Sequence, residues 1–538
     1  MPLAPHLAPL TAADARHLLR RAGFGSAPAR VRALTGLTAA EAARRLLDEA
    51  AASTLAEPAW AGTAVLNQGT LFNTEREAIL QRMTASPLRE KMTLFWHNHF
   101  PVETTVVSSQ ETLTVNGVLT TYYYTPSFIW TYYRLLRASA FGNLRTLVSA
   151  IGQEPAMLRY LNGNASTASA PNQNYARELL ELFTMGIYDR TGARNYTDTD
   201  THGAASDVAM AARALTGWRE RNVVVGGVNA YTREAYFTAS RFDAGAKTFL
   251  GQTGAWGYDD IVRIVFEQRG AQTARHLARK LLAFFVAPVP DPAAEAALAA
   301  LYLASGFEMR PVMEALLGSA HFYAPGHRGA LVKSPTDLHL GAVVSLMADP
   351  GGSSTGWATL RGYTRGNANV EERSHLYFEP PNVAGWPGHN PPSAAGRENY
   401  KVWYAADDFS NVWNALRAIG LNTSSRFPND PIALVAAVTD APGDAFAVAL
   451  ALAEHLVAVP LVYASLPDRS ATPLAGDPAR TPPAWVADAP RYVTDLAKTL
   501  LGSVPHYEWS SMPAAMRATL LRSYIVFLTT EVPEFLLM

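Results

Sequence analysis

The sequence predicts a mainly α-helical, multi-helix globular protein with a small β-hairpin or extended insertion near residues 222–251. Apolar residues recur three and four positions apart through most of the chain, for example over residues 12–22 and 39–52, and this spacing is typical of one face of an α-helix. The 538 residues are 49% hydrophobic and 17% charged, which is the composition of a folded globular protein.

Capping signals place several of these helices. Pro87 is a suitable first residue for a helix over residues 88–99, because its missing N–H has no intrahelical acceptor there. Asn172 is expected to cap a helix over residues 173–185, which Gly186 would stop. The other helices are expected over residues 135–150, 206–218, 259–267, 271–286, 293–305, 310–319, 490–501 and 513–529.

The predicted insertion differs from its surroundings in composition. Val223, Tyr231 and Phe242 are separated by Gly and polar residues, which favours a short hairpin or an extended loop. Residues 120–133 also begin with a strand-like composition before the helical pattern returns.

Composition excludes several functional classes. The formal net charge of −1 provides no basic surface for nucleic acid, so no nucleic-acid partner is expected. The absence of cysteine excludes disulfides, thiolate zinc sites, iron–sulfur clusters and cysteine nucleophiles. The most apolar long run, residues 445–463, contains Glu454 and Pro460 and predicts a buried helix rather than a membrane span. Residues 1–10 lack a basic segment followed by an apolar one, so no signal peptide is expected there.

The first candidate site is an apolar and aromatic run that contains Lys91, His97, Asn98 and His99. Polar groups in such surroundings either satisfy one another or line a site. In a helix the two imidazoles point apart, whereas in an extended segment before Pro101 they share a side and could bind one ion. The alternative is a pair of core histidines that hydrogen-bond to helix carbonyls.

The second candidate is a polar stripe on an otherwise apolar helix. Asn174, Arg177, Glu178 and Glu181 follow the i, i+3, i+4, i+7 spacing. Two carboxylates on one stripe are suitable metal ligands or an acid/base pair. The alternative is an ion pair between Arg177 and Glu181 on a solvated face.

The third candidate is aromatic. Asn382 and Trp386 lie in a segment rich in Pro and Gly, and Trp403 follows it. Such rings can stack on a sugar or a peptide, although Trp386 could equally pin the loop to the core.

Together these segments resemble the large bacterial family catalogued as domain of unknown function 1800. The motifs that carry the resemblance occur in the family's order over about residues 12–420. They are residues 17–25, 90–100, 155–158, 174–186, 212–218, 247–251, 278–281, 333–335 and 381–388.

The resemblance implies a mostly helical fold and no established activity. Family members are often exported and often encoded beside a sulfatase-like family, which implies an envelope or extracellular role. The chain would then divide into a family-like helical core, residues 1–420, and a C-terminal helical extension, residues 421–538, with a Pro/Ala-rich linker at 466–483.

The chain departs from the family pattern at three places, and a metal site would be weakened if the missing His and Glu were ligands. Phe242 stands where the family usually has His, Gln173 stands where it has Glu, and an insertion over residues 199–206 splits a further motif.

The working hypothesis is a metal-dependent hydrolase or oxidoreductase that acts on an envelope or extracellular polymer. Imidazole and carboxylate ligands favour one divalent transition metal, zinc, iron or manganese. Two alternatives remain open: a non-catalytic protein that binds a glycan or a protein, and a scaffold in which the motifs are packing networks. The assigned roles are metal ligands His97, His99 and Glu181, catalytic residues Lys91, Asn98, Arg177 and Glu178, and substrate-binding residues Asn382, Trp386 and Trp403.

Overall fold

The computed structural model describes residues 3–58, 68–108, 110–115, 118–123, 125–224, 231–367, 369–370, 373–392, 402–422, 425–459 and 491–538. The expected linker at 466–483 lies outside the described residues. The chain divides into two compact units, each assembled from separate stretches of sequence. Unit 1 comprises Met1–Pro5, Ala43–His321 and Ser374–Tyr400, and unit 2 comprises His6–Ala42, Phe322–Arg373 and Lys401–Met538. The division of the chain at residue 420 stays a prediction.

Both units consist mostly of helices. In unit 2 the first helices are α1 (Ala12–Arg21) and α2 (Pro28–Leu34), and the chain passes to unit 1 within α3 (Ala39–Ala52). The helices of unit 1 that follow are α4 (Gln68–Ala85), α5 (Pro87–His99), α6 (Thr125–Ala138), α7 (Leu144–Ile151), α8 (Pro155–Tyr160), α9 (Asn174–Glu181), α10 (Thr199–His202), α11 (Asp207–Ala214), α12 (Tyr258–Phe285), α13 (Pro292–Ala304) and α14 (Met309–Leu317).

The strands of unit 1 form two-stranded antiparallel hairpins. They are β1 (Gln110–Val115) with β2 (Val118–Tyr123), β3 (Trp218–Val224) with β4 (Tyr231–Phe237), and β5 (Lys247–Phe249) with β6 (Gln252–Gly254). The second and third hairpins confirm the predicted insertion, whose first strand begins slightly before residue 222. The strand-like composition near residue 120 corresponds to β2, and α6 begins directly after it at Thr125.

Helix α5 is the buried centre of unit 1. Its residues from Glu90 to His99 are all buried, and α4 and α6 pack against it. The carboxylate of Glu90 is fully buried but accepts hydrogen bonds from Arg137 Nε at 2.6 Å and from the Tyr133 hydroxyl at 2.7 Å. A buried charge is tolerated only with such partners, so this part of the motif is a structural network.

Helix α12 replaces the two helices predicted over residues 259–267 and 271–286. Its backbone leaves helical geometry at Arg269 (φ −132°, ψ 23°), so the helix is kinked there. The Arg269 Nε donates a hydrogen bond to the Asn195 carbonyl oxygen at 2.8 Å, which anchors the kink.

The remaining helices of unit 2 include a buried helix. They are α15 (Pro335–Ser345), α16 (Gly356–Thr364), α17 (Phe409–Leu421), α18 (Pro431–Val438), α19 (Ala445–Leu456), α20 (Arg491–Leu501) and α21 (Ala514–Val526). Nearly every residue of α15 is buried, and α16, α17 and α19 pack against it. Gly25 (φ +112°) allows the chain after α1 to approach it, because a Cβ there would lie 2.8 Å from the Gly341 carbonyl oxygen.

These observations confirm the mainly α-helical class with small hairpins. The apolar run from residue 445 forms the buried helix α19, as expected. Among the described residues, no helix combines the length and the hydropathy that crossing a bilayer requires.

Candidate functional site

The polar stripe of α9 lies at the surface of unit 1, on a helix whose other side is buried. Tyr175 and Leu179 are buried, whereas Arg177, Glu178 and Glu181 are half-buried. The helix ends at Glu181, short of the predicted residue 185, and its N-cap is Gln173 rather than Asn172. The side-chain oxygen of Asn172 accepts from the N–H of Asn174 at 2.9 Å, which forms an Asx turn before the helix. The structure therefore places both carboxylates on one partly solvated face.

Two histidines from other helices fix the C-terminal end of α9. His99 Nε2 donates to the carbonyl oxygen of Phe183 at 3.1 Å, and His276 Nε2 donates to that of Leu182 at 3.0 Å. Gly186 takes a positive φ of +74° and its N–H donates to Leu180, as in a helix stop. Carbonyls at a helix end lack intrahelical partners, so these contacts hold the end of α9 in place.

Asn195 adds a second clamp just beyond the helix. Its side-chain amide donates to the carbonyl oxygens of Met185 at 2.9 Å and of Gly186 at 3.0 Å. The stripe of α9 is thus built on a rigid support.

A buried lysine completes the histidine cluster. Lys280 Nζ lies 3.0 Å from Nδ1 of His99, which accepts because the other ring nitrogen of His99 donates to a carbonyl. Burial lowers the pKa of Lys280 to about 7 and that of His276 to about 3. The pKa of His99 is also lowered, first by burial and then by the neighbouring Lys280. The two imidazoles are therefore neutral at pH 7.

Within the stripe, Glu178 is the carboxyl group whose pKa is raised by its surroundings. Partial burial, followed by the charge of Glu181, raises its pKa to about 7, although Arg177 opposes the shift. Glu181 instead accepts a hydrogen bond from the Tyr196 hydroxyl at 3.4 Å. Burial and the charges of nearby carboxylates, Glu178 among them, raise the pKa of Tyr160, which therefore remains a neutral phenol. We call Tyr160, Glu178, Glu181 and Tyr196 the Glu178 cluster.

Arg177 does not pair with Glu181 as the structural alternative expected. Its guanidinium forms an ion pair with Asp198 and donates to the Thr199 hydroxyl at 3.2 Å. The guanidinium is therefore held away from a direct bond to either glutamate of the stripe. Its catalytic role stays a prediction.

His97 lies in a box of aromatic rings. Its ring centroid is 4.9 Å from that of Tyr377, 5.1 Å from that of Phe378 and 5.2 Å from that of Trp386. Within the described residues neither ring nitrogen has a hydrogen-bond partner, and burial lowers the pKa of His97 to about 4. His97 is therefore a neutral, enclosed imidazole.

Asn98 joins α5 to the loop that carries Trp386. Its side-chain oxygen accepts from the N–H of Trp386 at 2.7 Å, and its amide donates to Asn390 at 3.0 Å. Gly385 (φ +81°) makes this approach possible, because a Cβ there would lie 2.3 Å from the carbonyl oxygen of Asn98. The loop is pinned by Trp386, which is fully buried, while Asn382 is exposed and closes an Asx turn with Ala384.

The two remaining predicted residues lie elsewhere. Lys91 is buried on α5 with its Nζ 5.5 Å from the ring centre of Phe284. Trp403 belongs to unit 2, where it is buried. The structure thus brings Glu178 and Glu181 together and unites Asn98 with Trp386, but these pairs form separate arrangements.

The described residues do not fit the expected metal site. Helix α5 continues through His99, so the extended alternative, in which His97 and His99 could share an ion, is not adopted. Both hydrogen-bonding positions of the His99 ring are taken by Phe183 and Lys280. In the described part of the chain no three His, Asp or Glu side chains are placed to hold a metal ion. The assignment of metal ligands stays a prediction.

Sequence reasoning missed the residues that support the stripe. His276 lies in a predicted helix, four residues before Lys280. Nothing in that helix indicates that the His276 side chain contacts the carbonyl oxygen of Leu182, which lies 94 residues away in sequence. Tyr196 and Asn195 adjoin a motif that was noted only for its insertion. Their roles depend on tertiary contacts.

Comparison with known proteins adds a family and nothing finer. Neither the curated proteins nor the solved structures contain a match to the chain. A family model described as "Protein of unknown function (DUF1800)" matches residues 17–537, which extends the likeness well beyond residue 420. The chain therefore belongs to the DUF1800 family.

Proposed function

We propose that the protein is a hydrolase that acts on an envelope or extracellular polymer, with the carboxyl group of Glu178 as its general acid. The observation that carries the proposal is the placement of Glu178 on a half-buried face of α9 and beside Glu181, and this placement raises the pKa of Glu178 to about 7. A carboxyl group that retains its proton near neutral pH can protonate a leaving oxygen. Perturbed carboxyl groups of this kind concentrate at functional sites.

The second support is the neighbouring carboxylate. Residues three apart on a helix have Cβ atoms about 5–6 Å from each other, so Glu178 and Glu181 can act on the same bond. In the proposed step, Glu178 gives its proton to the leaving oxygen as the scissile bond breaks. Glu181 accepts a proton from the water that attacks, which is the role of the second carboxylate in inverting glycoside hydrolases.

The third support is rigidity. A general acid must be held close to its working position, because small displacements reduce the rate steeply. His99, His276 and Asn195 hold the end of α9, and Tyr196 orients Glu181. His99 and His276 are then positioning residues.

Of the two expected reaction classes, a carboxyl pair favours hydrolysis. Among the described residues, no three His, Asp or Glu side chains are placed to hold a metal ion. We therefore assign no step to a metal. The polymer substrate and a functional link to a sulfatase-like partner rest on the family association alone.

A substrate screen with matched variants tests the proposal. The full chain is incubated with envelope polysaccharides, sulfated and neutral glycans and ester polymers from pH 5 to 9, and released products are measured. We expect hydrolysis with an acidic group of pKa near 7, lost on Glu178→Gln and strongly reduced on Glu181→Gln.

Glu154 provides the control. Burial raises its pKa to about 7 as well, but its carboxylate caps α8 by accepting from the N–H of Ala156 at 2.6 Å. Glu154→Gln should leave hydrolysis intact. Activity that survives Glu178→Gln, or that falls equally in both variants, contradicts the assignment.

A further inference from the structure

Unit 2 contains a cavity of about 330 Å³ whose lining combines positive charge with hydrocarbon. Its walls are one face of α1, the C-terminal half of α19 with the residues that follow it, Leu496 of α20, and Arg328 from the segment between α14 and α15. Its volume falls in the range of small-ligand sites. The Glu178 cluster belongs to unit 1 and does not use this cavity.

Three arginines line the cavity. Arg16 and Arg20 lie one turn apart on α1, and Arg328 is the third. Glu454 is the carboxylate among the described lining residues, and Asp14, which does not line the cavity, pairs with Arg328. Three positive charges are therefore balanced by two negative ones, so the wall keeps an excess of positive charge.

Arg20 is held by backbone groups rather than by a carboxylate. Its acceptors among the described residues are the carbonyl oxygens of His455, at 2.5 Å from Nη2, and of Val457, at 3.3 Å from Nη1. Burial, and then the charge of Arg16, lowers the pKa of Arg20 to about 9, so the group is still a cation at pH 7. These bonds fix its guanidinium, whose charge acts on the cavity.

Arg16 has hydrogen-bond donors that are not in use. Its side chain is 13% exposed, and its bond among the described residues runs from Nη2 to Glu454 at 3.5 Å. Glu454 is 53% exposed, so this ion pair is weak. Nε and Nη1 of Arg16 have no acceptor in the described part of the chain, and neither atom is buried. An anion in the cavity can therefore bind them.

Arg328 offers a second donor. Its Nη2 donates to the buried Asp14, and its side chain is 25% exposed. Nε is buried and cannot reach a ligand, whereas Nη1 is not buried and has no acceptor within the described residues. The charge of Arg328 contributes, after burial, to a lowered pKa of Arg16, which Glu454 opposes. The two guanidinium groups are therefore close enough to repel each other, and an anion would relieve that repulsion.

The rest of the accessible lining is apolar. Leu450, Ala458 and Val459 are half-buried, and so are Ala12 and Ala13. These side chains keep part of their surface in contact with water. A ligand with an apolar part covers that surface, and a bare inorganic ion does not.

We propose that this cavity binds a small amphipathic oxyanion, that is, a carboxylate, phosphate or sulfate group carried on a short apolar chain. The oxyanion accepts hydrogen bonds from Arg16 and Arg328, and the charge of Arg20 adds to the attraction. The chain covers Leu450 and its apolar neighbours. Affinity should therefore increase with chain length, by up to about fourfold for each methylene that is fully buried.

The inference does not rest on the proposed hydrolase activity. The cavity belongs to unit 2 and the Glu178 cluster to unit 1. Glu178→Gln should abolish hydrolysis and leave oxyanion binding unchanged, so each claim can fail alone.

Calorimetry and ligand-observed NMR with the full chain test the cavity. The probes are octanoate, octyl phosphate and octyl sulfate, which share a chain and differ in the oxyanion. Octanol lacks the charge, and acetate and inorganic phosphate lack the chain. We expect at least one octyl oxyanion to bind, and octanol, acetate and inorganic phosphate to bind at least about tenfold more weakly.

Three variants connect the binding to the arginines. Arg16→Gln should weaken binding about tenfold, and it should remain folded because the pair it breaks is with an exposed carboxylate. Glu454→Gln removes the competing carboxylate and should strengthen binding about two- to fivefold. Arg45→Gln removes an arginine that pairs with Glu49 outside the cavity, and it should leave binding unchanged.

Four results would overturn the proposal. In the first, none of the three octyl oxyanions binds. In the second, octanol binds as tightly as octanoate, and in the third, acetate and inorganic phosphate bind as tightly as their octyl counterparts. In the fourth, Arg16→Gln weakens binding no more than Arg45→Gln does.

Discussion

Replacing Glu178 with Gln should stabilise the protein while it removes the proposed activity. The pKa of this carboxyl group rises from an ordinary 4.5 to about 7 on folding. Below pH 4.5 the folded and unfolded chains both hold the proton, and the group has no effect on stability. As pH increases, the unfolded chain ionises first, so the free energy of unfolding decreases between about pH 4.5 and 7 and then levels off.

The size of the effect follows from that difference. A shift of this extent corresponds to roughly 3 kcal/mol for a group wholly shielded from water. Glu178 is half-buried, and solvent screening reduces the expectation to about 1–2 kcal/mol. Gln does not ionise, so Glu178→Gln should raise the free energy of unfolding by about 1–2 kcal/mol at pH 8 and by close to zero at pH 4.

Urea unfolding at the two pH values measures this difference. The matched control is Glu49→Gln, which removes an exposed ion pair with Arg45 and should change stability by less than about 0.5 kcal/mol at either pH. The reasoning is refuted if Glu178→Gln destabilises the protein at pH 8, or if its effect is the same at pH 4. Lost activity with gained stability is the signature of a group kept for function rather than for folding.

Three other predictions follow from the same structure. Because burial lowers the pKa of Lys280 from 10.5 to about 7, wild-type stability should rise by up to about 3 kcal/mol between pH 7 and 10, and Lys280→Met should abolish that rise in urea unfolding. Gly385→Ala places a Cβ against Asn98 and should cost about 2–4 kcal/mol, whereas Gly36→Ala, with a similar φ but open space, should cost about 1 kcal/mol; equal costs would exclude the clash. Elemental mass spectrometry should find less than about 0.1 equivalent of zinc, iron or manganese per chain, and about one equivalent would restore the metal hypothesis.

The sequence predicted the fold class because its signals are local. Apolar spacing, the proline that begins α5 and the Asx turn before α9 all act within a few residues, and the structure has each of them. Helix α9 ends at Glu181, short of the glycine that was expected to stop it. The sequence predicted two helices where the structure has the single kinked helix α12. The kink is anchored by the carbonyl of Asn195, which lies far away in sequence, so local signals could not reveal it.

The candidate site was only partly predictable for the same reason. The i, i+3 spacing placed Glu178 and Glu181 on one face, and helical geometry alone decides that. It could not tell that Arg177 would pair with Asp198, because that contact depends on where a later segment returns.

The surroundings of His99 show which roles its imidazole can take. An imidazole in an apolar run suggests a metal ligand or a catalyst. In His99, however, Nε2 donates to the carbonyl oxygen of Phe183 and Nδ1 accepts from Lys280, so neither ring nitrogen is left for a metal or a substrate proton. What His99 and His276 hold is the end of the helix that carries Glu178. If the carboxyl group is the reactive one, substitution of either histidine should lower the turnover rate through the position of α9 and leave the pKa of about 7 near its original value. A metal or proton-relay role would instead shift the pH profile. The turnover rate measured as a function of pH, in the wild type and in the histidine variant, therefore distinguishes the two roles.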